Sequence, residues 1–303
     1  MNRTPESVKS ASPWRLASWL SSIALVVVAA SAVSAGTNGV NLQPSYYNNG
    51  NVSFGWSLMN ANTKIKAVRI EIEPGKETQA KTWIAAAKSN GKSIICTYHK
   101  SSVLGSDSAS ELATAGTWWK TYYSSLSASG SFQVNLMNEW GSHTITSNAY
   151  ASAYNTAISS VRNVYSGNII IDLAGWGQES KIAYDAVKGT NGTKINDTNI
   201  TLSCHLYPGA WNQGNNHWFQ TSDLYEMANS GRTCMVGEFG SGSGSSDAFG
   251  LTDTARNAGW SVLGWAWNGD GNSLNMVTPS WATNPTATSF TASSYFSTIY
   301  SHL

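Results

Sequence analysis

Two glutamates lie where a carboxylate is unusual, directly after an apolar run. Glu139 follows the run in FQVNLMNEW, residues 132–140, and Glu238 follows the run in MVGEFG, residues 235–240. A carboxylate at the end of a buried strand costs free energy unless it is paired or used. For Glu139 alone, a helix cap or an ion pair explains the position as well as catalysis does. Two such carboxylates that met in the fold would offer a proton donor and a nucleophile.

That pair of groups suffices for the hydrolysis of a glycosidic bond. One carboxylic acid protonates the leaving oxygen, while the other carboxylate attacks the anomeric carbon or activates a water molecule. A separation of roughly 5 Å gives retention of configuration and roughly 6.5 to 9.5 Å gives inversion, a choice that the sequence leaves open. Arg69 could keep the nucleophile ionised and Tyr207 could orient it by a hydrogen bond. An ion pair of Arg69 with Glu71 or Glu73 is the structural alternative.

The elements that must position these residues follow from the hydrophobic pattern. Short apolar or β-branched runs alternate with segments of helical spacing, and an alternation repeated about eight times favours an α/β fold, a single (β/α)8 TIM barrel. A doubly wound open sheet is the alternative, but the first run leads into Asn41, Gln43 and Pro44 and not into a glycine-rich phosphate loop. The predicted strands are 40–42, 67–72, 93–98, 132–137, 168–173, 200–206, 233–236 and 262–267. The predicted helices are 79–88, 110–126, 149–164, 181–187, 219–228 and 253–258, and 240–250 is predicted to be a loop.

In such a barrel the active site forms from the carboxyl ends of the strands and the loops after them. Polar or aromatic residues stand at most of those positions, so we expect them to converge on one mouth. In strand order they are Arg69, His99, Asn138 with Glu139, His205 with Tyr207, Glu238, and Trp265.

The strand-end motifs LMNEW, CHLY, VGEFG and GWAWNGDG resemble those of glycoside hydrolase family 5. The resemblance implies that Glu139 is the acid/base and Glu238 the nucleophile of a retaining mechanism. It also implies that Asn138 binds the sugar 2-hydroxyl and that Trp265 is the platform under the ring at the cleavage site. Four further positions match family residues, namely Arg69, His99, and the His-X-Tyr pair His205 and Tyr207.

The substrate is suggested by the segment IDLAGWGQES, which is most similar to bacterial endo-β-1,4-mannanases. Trp176 and Gln178 would then line the cleft, although Trp176 as a lid over the barrel edge is an equal alternative. Other tryptophans are candidate subsite platforms, of which only some should stack on sugar: Trp140, Trp211, Trp218 and Trp267. A β-1,4-glucanase or xylanase of the same family is the nearest alternative, and a non-catalytic carbohydrate-binding barrel is a remote one.

The amino-terminal segment predicts export. Basic residues precede an apolar run that ends in Val33-Ser34-Ala35, which is typical of a signal peptide spanning residues 1–35. The catalytic barrel domain would then be residues 36–303, secreted and free of the membrane after cleavage. An uncleaved membrane anchor is the alternative, although the strongly apolar part is short for a span.

Composition narrows the partners further. A net charge of +1 with 12% charged residues argues against nucleic acid or an acidic membrane surface, whereas 14 Trp and 13 Tyr suit stacking on polysaccharide. No His, Cys or carboxylate cluster has metal-ligand spacing, so we expect no metal and no cofactor. We take a monomer as the default. Of three cysteines, Cys204 and Cys234 are the better candidates for a disulfide, with free buried thiols equally plausible.

Overall fold

Eight parallel strands close into one barrel in the computed structural model, which describes residues 36–303; the predicted signal peptide lies outside the described residues. The strands are β1 (Gly39–Leu42), β2 (Ala67–Ile72), β3 (Ser93–Tyr98), β4 (Gln133–Asn135), β5 (Ile169–Asp172), β6 (Ile200–Leu206), β7 (Thr233–Phe239) and β8 (Ser261–Asn268). Each strand pairs with its neighbours in chain order, and β8 pairs with β1 to close the ring. The predicted (β/α)8 TIM barrel is therefore confirmed.

Helices follow the strands, as predicted. They are Trp56–Ala61, Glu77–Ser89, Ala109–Ser127, Ser147–Arg162, Ser180–Lys188, Thr221–Asn229, Ala248–Asn257 and Phe296–Tyr300, with a single irregular turn at Ala174–Gly177. The first and the last were not predicted because both are short. The helix Ala248–Asn257 begins inside the stretch predicted as a loop, since the Asp247 carboxylate accepts the Gly250 N–H and caps it.

Two strands differ in length from the prediction at the ends that matter for the site. Strand β4 ends at Asn135, so that Asn138 and Glu139 lie on the loop after it, whereas β7 continues through Glu238 to Phe239. Beyond β4, the Leu136 N–H still donates to the Ile170 carbonyl and the Asn138 N–H to the Tyr98 carbonyl, before Glu139 adopts a left-handed backbone with φ of 47°. Two short hairpins decorate the barrel, Trp211–Asn212 with His217–Trp218 and Val277–Thr278 with Thr291–Ala292.

The core lies in two layers separated by the barrel wall. Outward side chains such as Val68, Ile70 and Ile72 pack under the helices. A smaller cluster of Ala67, Ile95, Ile170, Met235 and Leu263 forms a separate apolar group. Because side chains two residues apart share a face of a strand, Arg69 and Glu71 lie on the Ala67 face, toward the carboxyl end of β2. An apolar layer therefore underlies a buried polar one.

All three cysteines are free thiols, so the suggested Cys204–Cys234 disulfide is wrong. The two residues do lie on adjacent strands, β6 and β7, as expected. The register, however, places Leu202 opposite Cys234 and Val236 opposite Cys204, an offset of one pleat. Within residues 36–303, no helix combines the length and the hydropathy that a membrane crossing requires.

Candidate active site

Arg69 is the centre of the polar layer inside the barrel mouth. Its side chain is fully buried and its guanidinium donates to acceptors from five strands or their ends: Asn135 Oδ1 (2.8 Å), Asn41 Oδ1 (3.0 Å), Glu238 Oε1 (3.0 Å), Glu71 Oε1 (3.1 Å), Asp172 Oδ2 (3.4 Å) and Asn138 Oδ1. Burial by itself would lower the pKa of Arg69, but the surrounding carboxylates raise it above its usual range. The arginine is thus a permanent cation that organises the site.

Glu238 is held from both of its oxygens. Arg69 Nη1 donates to Oε1 at 3.0 Å, and the Tyr207 hydroxyl donates to Oε2 at 2.8 Å. Burial and the negative charge of Glu238 raise the pKa of Tyr207 well above its ordinary value, so the phenol stays a donor. A carboxylate that accepts from a fixed cation at one oxygen and from a phenol at the other is held in one orientation. The contacts suggested from the sequence for Arg69 are both present, to Glu238 and to Glu71.

Glu139 faces Glu238 from the loop after β4. Its Oε1 lies 2.9 Å from His205 Nδ1, and its side chain is 13% exposed, against 5% for Glu238. Its backbone N–H donates to Asp172 Oδ2 at 3.1 Å and its carbonyl accepts from Gly105 at 2.8 Å. These bonds hold a left-handed backbone that costs about 1 kcal/mol or more in a residue with a side chain. The carboxylate is therefore aimed by its backbone as well as by its partner.

The two glutamates and His205 lie close together. One ligand atom from each falls within 4.8 Å of the others, so a Glu139 oxygen and a Glu238 oxygen lie within that distance. An oxygen–oxygen approach this short is compatible with the roughly 5 to 5.5 Å between the carboxyl groups of retaining glycosidases. The same triplet has the donor types of a metal site. A divalent cation there would meet the Arg69 guanidinium, which is only 3.0 Å from Glu238, and the repulsion opposes metal binding.

His205 is buried beneath both glutamates. Its Nδ1 lies 3.6 Å from Glu238 Oε1 and its Nε2 lies 3.5 Å from Asp172 Oδ2. Burial by itself lowers the pKa of His205, but Glu238, Asp172 and Glu139 outweigh it and raise the pKa to about 9. Predicted as a substrate ligand, His205 instead contacts carboxylates and has no exposed surface.

His99 belongs to a second carboxylate group at the edge of the mouth. Its Nδ1 lies 2.9 Å from Glu73 Oε1 and its Nε2 lies 3.5 Å from Glu71 Oε2, while the Tyr46 hydroxyl lies 2.8 Å from Nδ1. Burial lowers the pKa of His99, but the two glutamates raise it above its ordinary value. This histidine connects the rim to Arg69 through Glu71.

Trp265 ends the ring of candidate residues on β8. Its indole N–H donates to Asp270 Oδ1 at 3.1 Å and its carbonyl accepts from the Tyr295 hydroxyl at 3.1 Å. The Trp265–Ala266 peptide is cis. Trp265 is partly exposed.

Two of the candidate platforms are packing residues. Trp140 is fully buried, its indole N–H donates to the Ser108 carbonyl at 2.9 Å, and its ring packs against Tyr150 and Tyr154. Trp267 is fully buried as well and donates to the Phe54 carbonyl. Neither ring has a face open to a sugar, so the substrate-binding role predicted for Trp140 is withdrawn. Both indoles therefore fill space in the core.

Trp176 and Gln178 lie on the turn after β5. Trp176 is 40% exposed, which suits a surface that meets a ligand. Gln178 is half-buried, and its side-chain oxygen accepts the Trp211 backbone N–H at 2.8 Å. Gln178 therefore anchors the hairpin that carries Trp211 and Trp218, and its role is to support the rim.

Asp172 is a site residue that sequence reasoning missed. It ends β5, is fully buried, and accepts from Arg69, from Asn135 Nδ2 at 3.1 Å and from the Glu139 N–H. The signal was available, since IIID ends an apolar run in a carboxylate just as the Glu139 and Glu238 segments do. Asp172 differs from the two glutamates in its position, because it lies below the mouth and contacts Arg69.

Comparison with known proteins agrees with this geometry. Two curated proteins named mannan endo-1,4-β-mannosidase are similar to the chain: one from Streptomyces lividans is 26% identical over 204 residues, 64% of this chain and 51% of that protein. The other, from Cellvibrio japonicus, is 25% identical over 230 residues, 71% of this chain and 51% of that protein. The chain thus spans about half the length of these relatives.

Several solved structures are similar to the chain, and at their low sequence identities the similarity shows a common fold and nothing more. A β-mannanase from Thermomonospora fusca superposes with a TM-score of 0.68 at 20% identity, covering 88% of this chain and 89% of that one. An endoglucanase catalytic domain from Thermobifida fusca gives 0.63 at 13% identity, covering 88% and 91%. The family model described as cellulase (glycosyl hydrolase family 5) matches residues 31–271. With that match across most of its length, the chain belongs to glycosyl hydrolase family 5.

Proposed function

We propose that this protein is a secreted, retaining endo-glycosidase that hydrolyses internal β-1,4 links of mannan, glucomannan or galactomannan. Residues 36–303 would act after removal of the signal peptide 1–35, as a monomer, without metal or cofactor. The observation that carries the reaction type is the approach of a Glu139 oxygen to within 4.8 Å of a Glu238 oxygen. That approach supports the short carboxyl separation of retaining glycosidases, in which one carboxylate attacks the anomeric carbon directly.

In the first step, Glu238 attacks the anomeric carbon while Glu139 protonates the departing oxygen. Arg69 and Tyr207 support this assignment because each donates a hydrogen bond to a different oxygen of Glu238 and so orients it. Asn138 would receive the sugar 2-hydroxyl through its amide nitrogen, since its oxygen already accepts from Arg69. The step forms the glycosyl–Glu238 ester and breaks the glycosidic bond, and the Glu139 proton leaves with the freed hydroxyl.

In the second step, Glu139 removes a proton from water, and the water oxygen attacks the anomeric carbon. The ester breaks, and Glu238 returns to its ionised form. Glu139 must therefore change between acid and base in one turnover. The partial exposure of Glu139 supports that exchange, because a water molecule and a leaving group can both reach it.

A direct test replaces each glutamate by its isosteric amide. Glu238→Gln and Glu139→Gln should each lower the hydrolysis of mannan by a factor on the order of 10³ or more, as the loss of a nucleophile or of a general acid does. Glu111→Gln, at a partly exposed glutamate paired with Lys100, is the matched control and should keep full activity. Ordinary turnover in either active-site variant would refute the assignment.

The choice of mannan as the substrate is supported by the names of the two curated relatives. A β-1,4-glucanase is the second candidate function, because an endoglucanase shares the fold. Incubation with mannan, glucomannan, carboxymethylcellulose and xylan, with reducing ends measured over time, separates the two. We expect release from mannan to be fastest. Faster release from carboxymethylcellulose or xylan would replace mannan by that polymer.

A further inference from the structure

Glu179 is a buried carboxylate outside the catalytic ring that joins three loops of the mouth. It has no exposed surface and accepts hydrogen bonds from His143 Nδ1 (2.6 Å) and from the backbone N–H groups of Gln213 (2.7 Å) and Gly214 (2.9 Å). These partners come from the loop after β4 and from the hairpin after β6, while Glu179 itself follows β5. A buried carboxylate is retained at a cost unless such bonds satisfy it.

The pair formed by His143 and Glu179 supports the exposed ring of Trp176. The His143 ring lies 5.3 Å from the Trp176 ring, centroid to centroid, at an angle of 43°. The His143 ring is thus held between a carboxylate and an indole. Trp176 adopts a left-handed backbone with φ of 55°, and such strain persists only where surrounding contacts maintain it.

The other edge of Trp176 packs on the loop after β3. A Cβ at Gly105 would lie 2.4 Å from Cζ2 of the indole, so only glycine permits this approach. Gly105 also donates its N–H to the Glu139 carbonyl at 2.8 Å, and Gly175 donates to the Gly141 carbonyl at 2.8 Å. Trp176 is therefore held against the loop after β3 and the loop after β4, which carries Glu139. It lies on the Glu139 side of the mouth.

The acid/base side of a glycosidase is the side from which the leaving sugar departs, because the acid protonates the leaving oxygen. We infer that Trp176 is the platform for the leaving-group sugar, and that His143 and Glu179 are positioning residues that hold it there. This inference rests on the proposed function and deepens it. Binding energy from such a remote sugar accelerates the bond cleavage, so loss of the platform should slow substrates that carry a leaving-group sugar and spare a substrate that lacks one.

Two substrates separate the loss of a leaving-sugar platform from a general loss of activity. Mannohexaose needs a leaving-group sugar, whereas β-mannotriosyl fluoride has a single atom as its leaving group and reaches no platform. Trp176→Ala should lower kcat/KM on mannohexaose on the order of tenfold or more, as removal of an aromatic anchor does, and leave fluoride release within about twofold. Trp176→Phe should recover part of the loss.

The positioning residues should give the same split. Glu179→Gln and His143→Ala should lower kcat/KM for mannohexaose but not for the fluoride, and His143→Phe, which keeps a ring under Trp176, should lose less than His143→Ala. Tyr225→Ala, at an aromatic residue 62% exposed on the helix Thr221–Asn229, is the control and should change neither.

Failure of the leaving-sugar platform and failure of the proposed mannanase activity would give different results. An equal loss on both substrates in Trp176→Ala or Glu179→Gln, with an unchanged melting temperature, would overturn the leaving-sugar platform. No loss on either substrate would overturn it too and make Trp176 a lid. Failure of the wild type on both substrates would instead refute the proposed mannanase activity.

Discussion

His205→Asn should remove much of the pH dependence of stability in the alkaline range. In the wild type, His205 is buried between three carboxylates, at 2.9 Å from Glu139, 3.5 Å from Asp172 and 3.6 Å from Glu238. Against the effect of burial, which lowers it, these charges raise the pKa of His205 from its ordinary 6.5 to about 9. His205 therefore binds its proton more tightly in the folded protein than in the unfolded chain.

The direction and size of the effect follow from that difference. A group whose pKa is raised on folding contributes its full stability below its unfolded pKa, here 6.5, and loses it as the pH rises through about 9. Each pKa unit is worth about 1.36 kcal/mol, so the loss is about 3 kcal/mol in the free energy of unfolding. Asparagine cannot take up a proton, so His205→Asn should lack this loss.

The measurement is urea unfolding of both proteins at several pH values between 6 and 10. The change in the free energy of unfolding of the wild type, minus that of His205→Asn, should be about 3 kcal/mol over this range. His302→Asn, near the carboxyl end and paired with Asp253, is the matched control and should follow the wild type. Parallel pH profiles for wild type and His205→Asn would refute the reasoning.

Further predictions concern hydrogen bonding, packing and the cysteines. Tyr207→Phe should lower kcat on mannan about 10- to 100-fold, because Glu238 loses a charge-assisted hydrogen bond; an unchanged kcat would contradict the orienting role. Trp140→Ala should lower the free energy of unfolding by about 3 to 5 kcal/mol through a core cavity, measured by urea unfolding, whereas an exposed platform would cost little. In urea without reductant, thiol labelling should modify all three cysteines, and a reductant should leave the melting temperature unchanged.

Much of the fold was predictable because it depends on local pattern. Runs such as SIICTY and ITLSCHL are too apolar for a surface, and their regular alternation with helical segments indicates parallel strands. Strand ends were less predictable. β4 ends at Asn135 although the apolar run continues to Met137, and the left-handed backbone of Glu139 has no mark in the sequence.

The site divides in the same way. Glu139 and Glu238 were found because a charge at the end of a buried strand is rare, and Arg69 because a charge inside one is rare too; parallel strands bring their carboxyl ends to one mouth. Asp172 bears the same mark and was overlooked. Trp140 was misassigned because an indole is equally suited to a core and to a sugar platform, and only its surroundings distinguish the two.

By itself, the sequence predicted the barrel and singled out Glu139 and Glu238 as candidates, since hydrophobic period gives the strands and a carboxylate after an apolar run is unusual. The tertiary structure alone decided their separation, the pKa of His205, and which tryptophans have an open face. It also joined His143, Trp176 and Glu179, which come from two different loops. The reason is physical: distances, burial and electrostatic fields are sums over residues that are remote in the chain, and no local pattern contains them.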